Sequence, residues 1–467
     1  MTMATWRIFR TEFVRGVAPV ALVAMAGAAV VLLAAEASAW VGRWGALAEQ
    51  IRVILLVLAP VAVTAGAWQG GREHRRRMPE LTGTTSRPPF HAVFMAWGST
   101  TVGVWLGLGV AWLVAVLLVA PNATYSGGSW WWTLVVSLLG LAAASAIGVC
   151  VGRLVPGRLV APIAGVLMFV VGGVATGRSD GLSWVVPAMG YQSRGLSSLD
   201  TGFQLLQMGW FAALAATALV LAGAIRTSLA VVPAVLAAVV AVPIMTGPGD
   251  ERWQPDPAAR ALVCAGERGA EVCLTRVNAF LMDEAAPRVQ ALLKRWDDVP
   301  GGFERAVDSS ALSSDEWLIE PDGQTGRRTA VLDITGGLMT WDGGLIPEDD
   351  PGITIETVFG WNLPGVLIQS CETAGRFDDV PLEIWAVGTV AEEWAGGNPD
   401  VGTVRVSDVG PGEQPSSAET GPGPEASAAQ HLAALPEAEQ KVWMGRYLEA
   451  ASICDADTLL ALGGELQ

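Results

Sequence analysis

Between Gly71 and His91 the chain reads GREHRRRMPELTGTTSRPPFH, placing Arg72, Arg75, Arg76, Arg77 and Arg87 close together in a sequence otherwise poor in charge. Apolar stretches flank it, Ile51–Trp68 before and Ala92–Ala120 after. A basic loop between two apolar spans is held on the cytoplasmic side of a membrane. That placement fixes the orientation of every other segment.

Composition agrees with a membrane protein. Of 467 residues, 51% are hydrophobic and 16% charged, where a soluble domain carries about 25% charged residues. The charge is split between two halves. Met1–Gly247 carries 15 Arg and 7 acidic residues, net +8, and Pro248–Gln467 carries 14 basic and 38 acidic residues, net −24. A basic membrane half is thus joined to an acidic soluble half. The acidic half lacks the clustered cations that neutralise phosphates, which argues against nucleic acid as a partner. Lys occurs only at positions 294 and 441 while Arg, Ala, Gly and Val abound, the bias expected of a GC-rich bacterial gene.

About 20 predominantly apolar residues span the hydrocarbon, and seven stretches meet or approach that length. They are Val17–Trp40, Ile51–Trp68, Ala92–Ala120, Trp131–Val151, Leu159–Thr176, Leu205–Ile225 and Ala230–Thr246. The last is the shortest and contains Pro233 and Pro243. Ala37-Ser38-Ala39 resembles a signal-peptide cleavage site, but the preceding apolar run exceeds the usual 7–15 residues or so. With the amino terminus inside, eleven arginines fall on the cytoplasmic side and four (Arg43, Arg52, Arg178, Arg194) on the other. That is a positive-inside bias, carried mostly by the opening loop. Trp40, Trp44, Trp130, Trp131, Trp132 and Trp184 fall near the outer boundary as an aromatic belt does. An odd number of spans puts the acidic half outside.

The spans read as almost free of charge, which disfavours an ion-coupled carrier. Ser99, Thr100 and Thr101 form a polar cluster suited to helix–helix packing. Arg178–Gln204 reads equally well as an external loop or as short amphipathic helices entering the outer leaflet.

Beyond Pro248 the periodicity changes. Asn278 is placed to cap a helix running to Trp296, with Leu281, Ala285, Val289, Leu292 and Trp296 on one face and a kink or break at Pro287. Thr329–Thr335 and Ile353–Val358 read as strands, and Pro381–Trp394 as a helix. Asp408–Ser427 has the composition of a disordered linker. A final helix over Pro436–Ala451 would dock through Val442, Trp443, Tyr447 and Leu448. The expected organisation is a transmembrane domain over 1–247, an extracytoplasmic mixed α/β domain over 248–407, a linker over 408–428 and a docking helical segment over 429–467. Four of five cysteines, Cys264, Cys273, Cys371 and Cys454, lie in this half. An even number in an oxidising compartment implies two disulfides. Cys264–Cys273 with Cys371–Cys454 is the preferred of three pairings, the second closing a long loop across the linker.

No chemistry of an enzyme is legible. The chain has no HExxH and no GxxxxGK[ST], and no GxSxG marks a nucleophile elbow, since GRSDG at 177–181 follows an apolar span and not a strand. The cysteine spacings do not match zinc pairs. Asp342 with Glu348-Asp349-Asp350 lacks the order of a Ca²⁺ loop. No catalytic residue, cofactor or metal is expected.

The amphipathic amino terminus ATWRIFRTEFVRG, the basic loop after the second span and the external segment between spans five and six resemble the permease subunits of ABC-2 type exporters. AWQGGREHRRRMPELTGTTSRPP in particular resembles the loop of bacterial permease-like proteins of that group. The stretches VCAGERGAEVCL and WMGRYLEAASICDADTLL resemble outer domains fused to such permeases. The resemblance covers roughly Met1–Arg226. It implies a polytopic domain of six to seven transmembrane helices in the bacterial cell membrane. It also implies a lipophilic or peptide cargo, a second permease subunit and a separate ABC ATPase. The loop would dock on that ATPase through Arg72, Glu73, Arg75, Arg76, Arg77, Glu80 and Leu81, with Glu73–Leu81 as a short helix along the membrane. The alternative is a non-transporting anchor that displays the acidic domain, its loop touching only anionic lipid.

Overall fold

The computed structural model describes residues 3–75, 89–155, 157–178, 180–190, 193–223, 227–247, 252–312, 328–334, 338–348, 350, 353–361, 367–368, 371–372, 375–376, 381–397 and 424–466. Arg76, Arg77, Glu80, Leu81 and Arg87 of the basic loop lie outside these residues, as do 408–423 of the expected linker. The chain divides into two compact units, Met1–Ala259 with Trp341–Gly343, and Arg260–Thr340 with Gly344–Gln467.

The first unit is helical. Its elements are α1 (Met3–Arg15), α2 (Ala18–Ala35), α3 (Ala37–Trp40), α4 (Trp44–Gly70), α5 (Arg72–Arg75), α6 (Pro89–Val119), α7 (Trp130–Leu154), α8 (Val160–Thr176), α9 (Thr201–Gly223) and α10 (Val231–Thr246). Six helices among the described residues are long and apolar enough to cross a membrane: Ala18–Ala35, Trp44–Gly70, Phe90–Val119, Trp130–Leu154, Thr201–Gly223 and Ser228–Thr246. The fifth expected span, α8, has 17 residues, at the lower limit of about 17–25 for a crossing. The expected first span ends early. α2 stops at Ala35, and α3 follows after Glu36, with Trp40 Nε1–H donating back to the Leu33 carbonyl at 2.9 Å.

α4 is the central helix, packed against α2, α6, α7 and α8. Its approach to α7 rests on two reciprocal pairs of glycines, Gly66 and Gly70 facing Gly148 and Gly152. A methyl group on Gly66 would strike the Ser145 carbonyl, and one on Gly148 the Val63 carbonyl. Such small-xxx-small spacing lets backbones close up where lipid supplies no hydrophobic drive between helices. The Ser/Thr cluster serves the same packing. Thr101 Oγ1 lies 2.7 Å from Ser145 Oγ of α7, and Thr100 bonds back to Ala96. By contrast, Ile163, Val166, Leu167 and Val174 on α8, and Val231, Val232, Val235 and Val239 on α10, are exposed. An apolar surface that continuous suits lipid contact.

The boundary between units falls later than Pro248. β1 (Ser197–Leu199) pairs antiparallel with β2 (Trp253–Pro255), and Tyr125 Oη donates to Asp256 at 2.6 Å. Residues 253–256 are therefore built into the helical unit. Between α8 and α9, the described residues of 178–204 form a single 3-10 turn at Gly181–Trp184 and β1. No pair of amphipathic helices occurs among them.

The second unit contains a four-stranded mixed sheet in the order β3 (Leu262–Ala265), β4 (Glu271–Thr275), β5 (Phe303–Asp308), β6 (Arg328–Leu332). β3 and β4 form an antiparallel hairpin, while β4, β5 and β6 run parallel. α11 (Met282–Lys294) lies in the crossover that parallel β4 and β5 require. Its expected stripe is buried, including Trp296, which meets Phe303 and Trp394 edge-on at 4.9 and 5.0 Å. Two details differ from expectation. Pro287 lies within the continuous span of α11, in its second turn. Asn278 does not cap the helix through its side chain. Its amide donates instead to the buried carboxylate of Asp308 at 2.7 Å.

Ile353–Val358 is not a strand. α12 (Ile355–Trp361) begins there, with Thr354 Oγ1 accepting from Thr357 N–H. Ile355 and Phe359, one helical turn apart, are both buried, so core packing overrides the β-branched composition. α13 (Leu382–Gly396) follows as expected, with Pro381 at its N-cap. α14 (Pro424–Ala434) begins inside the stretch expected to be linker. α15 (Glu437–Ile453) buries Trp443, Tyr447 and Leu448 but leaves Val442 exposed, and it is followed by α16 (Ala456–Gly464). The bonds Cys264–Cys273 and Cys371–Cys454 are both formed.

Candidate functional site

α4 has 27 residues, about 40 Å of helix at 1.5 Å per residue. A polar cluster sits at each of its ends, and the two have different constructions.

At its carboxyl end, three segments expected on the cytoplasmic side are tied together. Glu12 of α1 accepts from Arg72 Nη1 at 2.8 Å and from Gln69 Nε2 at 3.2 Å. Gln69 Oε1 accepts from the Val17 backbone at 3.3 Å, fixing the bend between α1 and α2. Glu73 pairs with Arg153 in the last turn of α7 at 3.2 Å. Arg75 donates to the Trp68 carbonyl and lies 4.4 Å over the Trp68 ring. α1 itself carries a ladder of aromatic rings, with Trp6–Phe9 at 6.1 Å and Phe9–Phe13 at 6.5 Å, and with Arg7, Arg10 and Arg15 along its length. Such an amphipathic composition is of the kind suited to a membrane interface. Of the expected docking residues, Arg72, Glu73 and Arg75 form α5 at this end. Arg76, Arg77, Glu80 and Leu81 lie outside the described residues.

At the amino end of α4 are two charged side chains, one just before the expected second span and one at its mouth. Glu49 and Arg52, one turn apart, are buried, Arg52 at 0% exposure. Glu49 Oε2 accepts from the backbone N–H of Ser193 at 2.7 Å and of Arg194 at 3.0 Å, and Oε1 accepts from Ser193 Oγ at 2.6 Å. Arg52 donates from Nε to the Pro187 carbonyl at 3.2 Å and from Nη1 to Gln207 Oε1 of α9 at 3.1 Å. Gln207 Nε2 in turn donates to the Trp184 carbonyl at 2.9 Å. The loop between α8 and α9 is thus fastened to α4 by charge-assisted hydrogen bonds to its backbone, which are stronger than neutral ones. Beside it, Arg252 donates to the carbonyls of Ile244 and Gly247 at the end of α10 while stacked near Trp184 and Phe203. Burial lowers its pKa from the usual arginine value. The signal that could have found this end is an acid and a base spaced i, i+3 at the start of an apolar helix.

In the second unit, Glu348 and Asp350 belong to no convergent ligand set among the described residues, Asp342 falls in the first unit, and Asp349 lies outside the described residues. Cys264, Glu271 and Cys273 lie within 4.8 Å of one another there, but the two sulfurs are joined as a disulfide and offer no thiolate to a metal. No family model, curated protein or solved structure matches this chain.

Proposed function

We propose that this protein is the membrane-spanning subunit of an ABC-2 type exporter. In this reading it works with a separate ATPase bound at the carboxyl end of α4. The observation that carries the reading is the joining of α1, α5 and the end of α7 by the Glu12–Arg72 and Glu73–Arg153 pairs. A loop that only oriented the protein would need positive charge but no fixed position. Here its first residues are held against two other segments, as a surface that transmits force to the helices must be. Arg76, Arg77 and Arg87 add the charge that keeps this end cytoplasmic. The division of labour also accounts for a chain without a phosphate-binding loop.

Spans from two such subunits would line the path for a lipophilic or peptide cargo. The acidic unit lies outside the cell membrane in this orientation, where disulfides persist. Replacing Arg75, Arg76 and Arg77 by Ala separates docking from anchoring. Loss of ATPase association with unchanged topology, read by accessibility of reporter tags on each side, supports docking. A triple change that merely inverts the topology would mean that the loop is only an anchor.

A further inference from the structure

The second unit holds a cysteine pair that transport does not use. Cys264 of β3 and Cys273 of β4 stand opposite each other in the antiparallel ladder and are bonded. β3 is an edge strand, and Leu262, Val263 and Cys264 are exposed along it. Cys273, one strand further in, is fully buried. The two sulfurs are therefore unequal: a thiolate arriving from solvent reaches Cys264 and not Cys273.

A group that stabilises the departing sulfur is also in place. Arg305 of β5 donates to Cys273 Sγ from Nη2 at 3.0 Å and from Nε at 3.3 Å, and lies 3.5 Å from Cys264 Sγ. Glu271 pairs with its Nε at 2.8 Å and orients the guanidinium. A cation beside sulfur favours the thiolate, and a leaving thiol of lower pKa departs faster.

We propose that Cys264–Cys273 is a thiol–disulfide exchange site for a dithiol donor. The donor's thiolate attacks Cys264 Sγ and forms a mixed disulfide. The Cys264–Cys273 bond breaks, and Cys273 leaves as a thiolate beside Arg305 and is protonated from solvent. The donor's second thiolate then attacks its own bonded sulfur, releasing Cys264 as a thiolate that takes the second proton. The donor leaves as a disulfide, oxidised by two electrons, and the protein disulfide is reduced to two thiols.

The test uses the full chain in detergent, treated with dithiothreitol, quenched with N-ethylmaleimide and mapped by mass spectrometry. Cys264 and Cys273 are expected to be alkylated at least about tenfold sooner than Cys371 and Cys454. In a parallel reaction, glutathione should be trapped on Cys264 and not Cys273. Arg305→Gln should slow opening about three- to tenfold, and Arg305→Lys, which keeps the charge, should restore most of the rate. The Cys371–Cys454 rate, read in the same digest, reports whether each variant is folded. Should Arg305→Gln unfold, the native chain and Arg305→Lys decide through the sulfur that glutathione attacks. Equal rates for the two bridges, glutathione on Cys273, or a folded Arg305→Gln that opens as fast as the native chain would overturn the proposal.

Discussion

Glu12 and Arg72, sixty residues apart in the chain, form an ion pair at 2.8 Å that fastens the amino-terminal helix to the start of the basic loop. The pair is partly exposed, so it contributes at most about 1 kcal/mol to stability. Its role is positional. Glu12→Arg should therefore leave the melting temperature in detergent nearly unchanged while reducing ATPase association. The double change Glu12→Arg with Arg72→Glu should restore association. Failure of the double change to recover it would separate the pair from docking.

Arg52 is the second point of leverage. Removing its side chain leaves Gln207 Oε1 and the Pro187 carbonyl unpaired in a buried site, each costing roughly 1–3 kcal/mol. Arg52→Leu should loosen the loop between α8 and α9, seen as faster amide hydrogen exchange over 181–200. Arg52→Lys should recover little, because an ammonium does not reproduce the fixed fork of two donors. Unchanged exchange in both variants would show that the loop holds itself.

The contact of α4 with α7 has no room for a side chain at Gly148. Gly148→Leu must push the helices apart, and overpacking of this kind costs about 1–3 kcal/mol or more. The expected readout is a lower unfolding temperature and loss of a monodisperse peak in size-exclusion chromatography. The same substitution at Gly173, where nothing lies near, should be tolerated.

Cys371–Cys454 closes a loop with a sequence separation of 83, worth about 4.5 kcal/mol by chain entropy. Replacing both cysteines by Ser should lower the denaturant midpoint of the second unit strongly. Loss of Cys264–Cys273, with a separation of 9, should matter less, about 2–3 kcal/mol. Comparable midpoints for the two double variants would contradict the loop-length argument.

Glu356 supplies a pH dependence. Burial is the largest influence and opposes its ionisation, but the two hydrogen bonds from Arg288, both 2.6 Å, together with those from its own backbone and Thr354 and the charge of Arg288, hold its carboxyl below the usual carboxylate range. A depressed folded pKa means that the stabilisation is present above the unfolded value and lost as pH falls through the folded one. Arg288→Gln should move the acid unfolding of this unit to higher pH, as followed by tryptophan fluorescence. An unshifted acid transition would remove Glu356 from the account.

Much of the fold could be read from the chain. The apolar segments, the acidic second half and both cysteine pairs were legible because each rests on composition or on a long-range count. What was missed depends on neighbours. Glu49 fell before the expected second span and Arg52 at its mouth, because hydropathy starts that span at Ile51, whereas α4 begins at Trp44 and encloses both. Ile353–Val358 has the residues of a strand, but Ile355 and Phe359 bury one turn apart, and only the core decides that. Gly66, Gly70, Gly148 and Gly152 are individually unremarkable in an apolar chain. They matter because the two helices meet there. Of the docking segment, the sequence placed all seven residues on one loop, and three of them form a helix tied to α1 and α7.

The proposed function depends above all on an ATPase held at the carboxyl end of α4. The most direct measurement is purification of the native chain from its own membranes in mild detergent, with bound proteins identified by mass spectrometry. An ABC ATPase in near-stoichiometric amount is expected, lost on replacing Arg75, Arg76 and Arg77 by Ala. A chain recovered intact and folded with no ATPase attached, in several mild detergents, would contradict it.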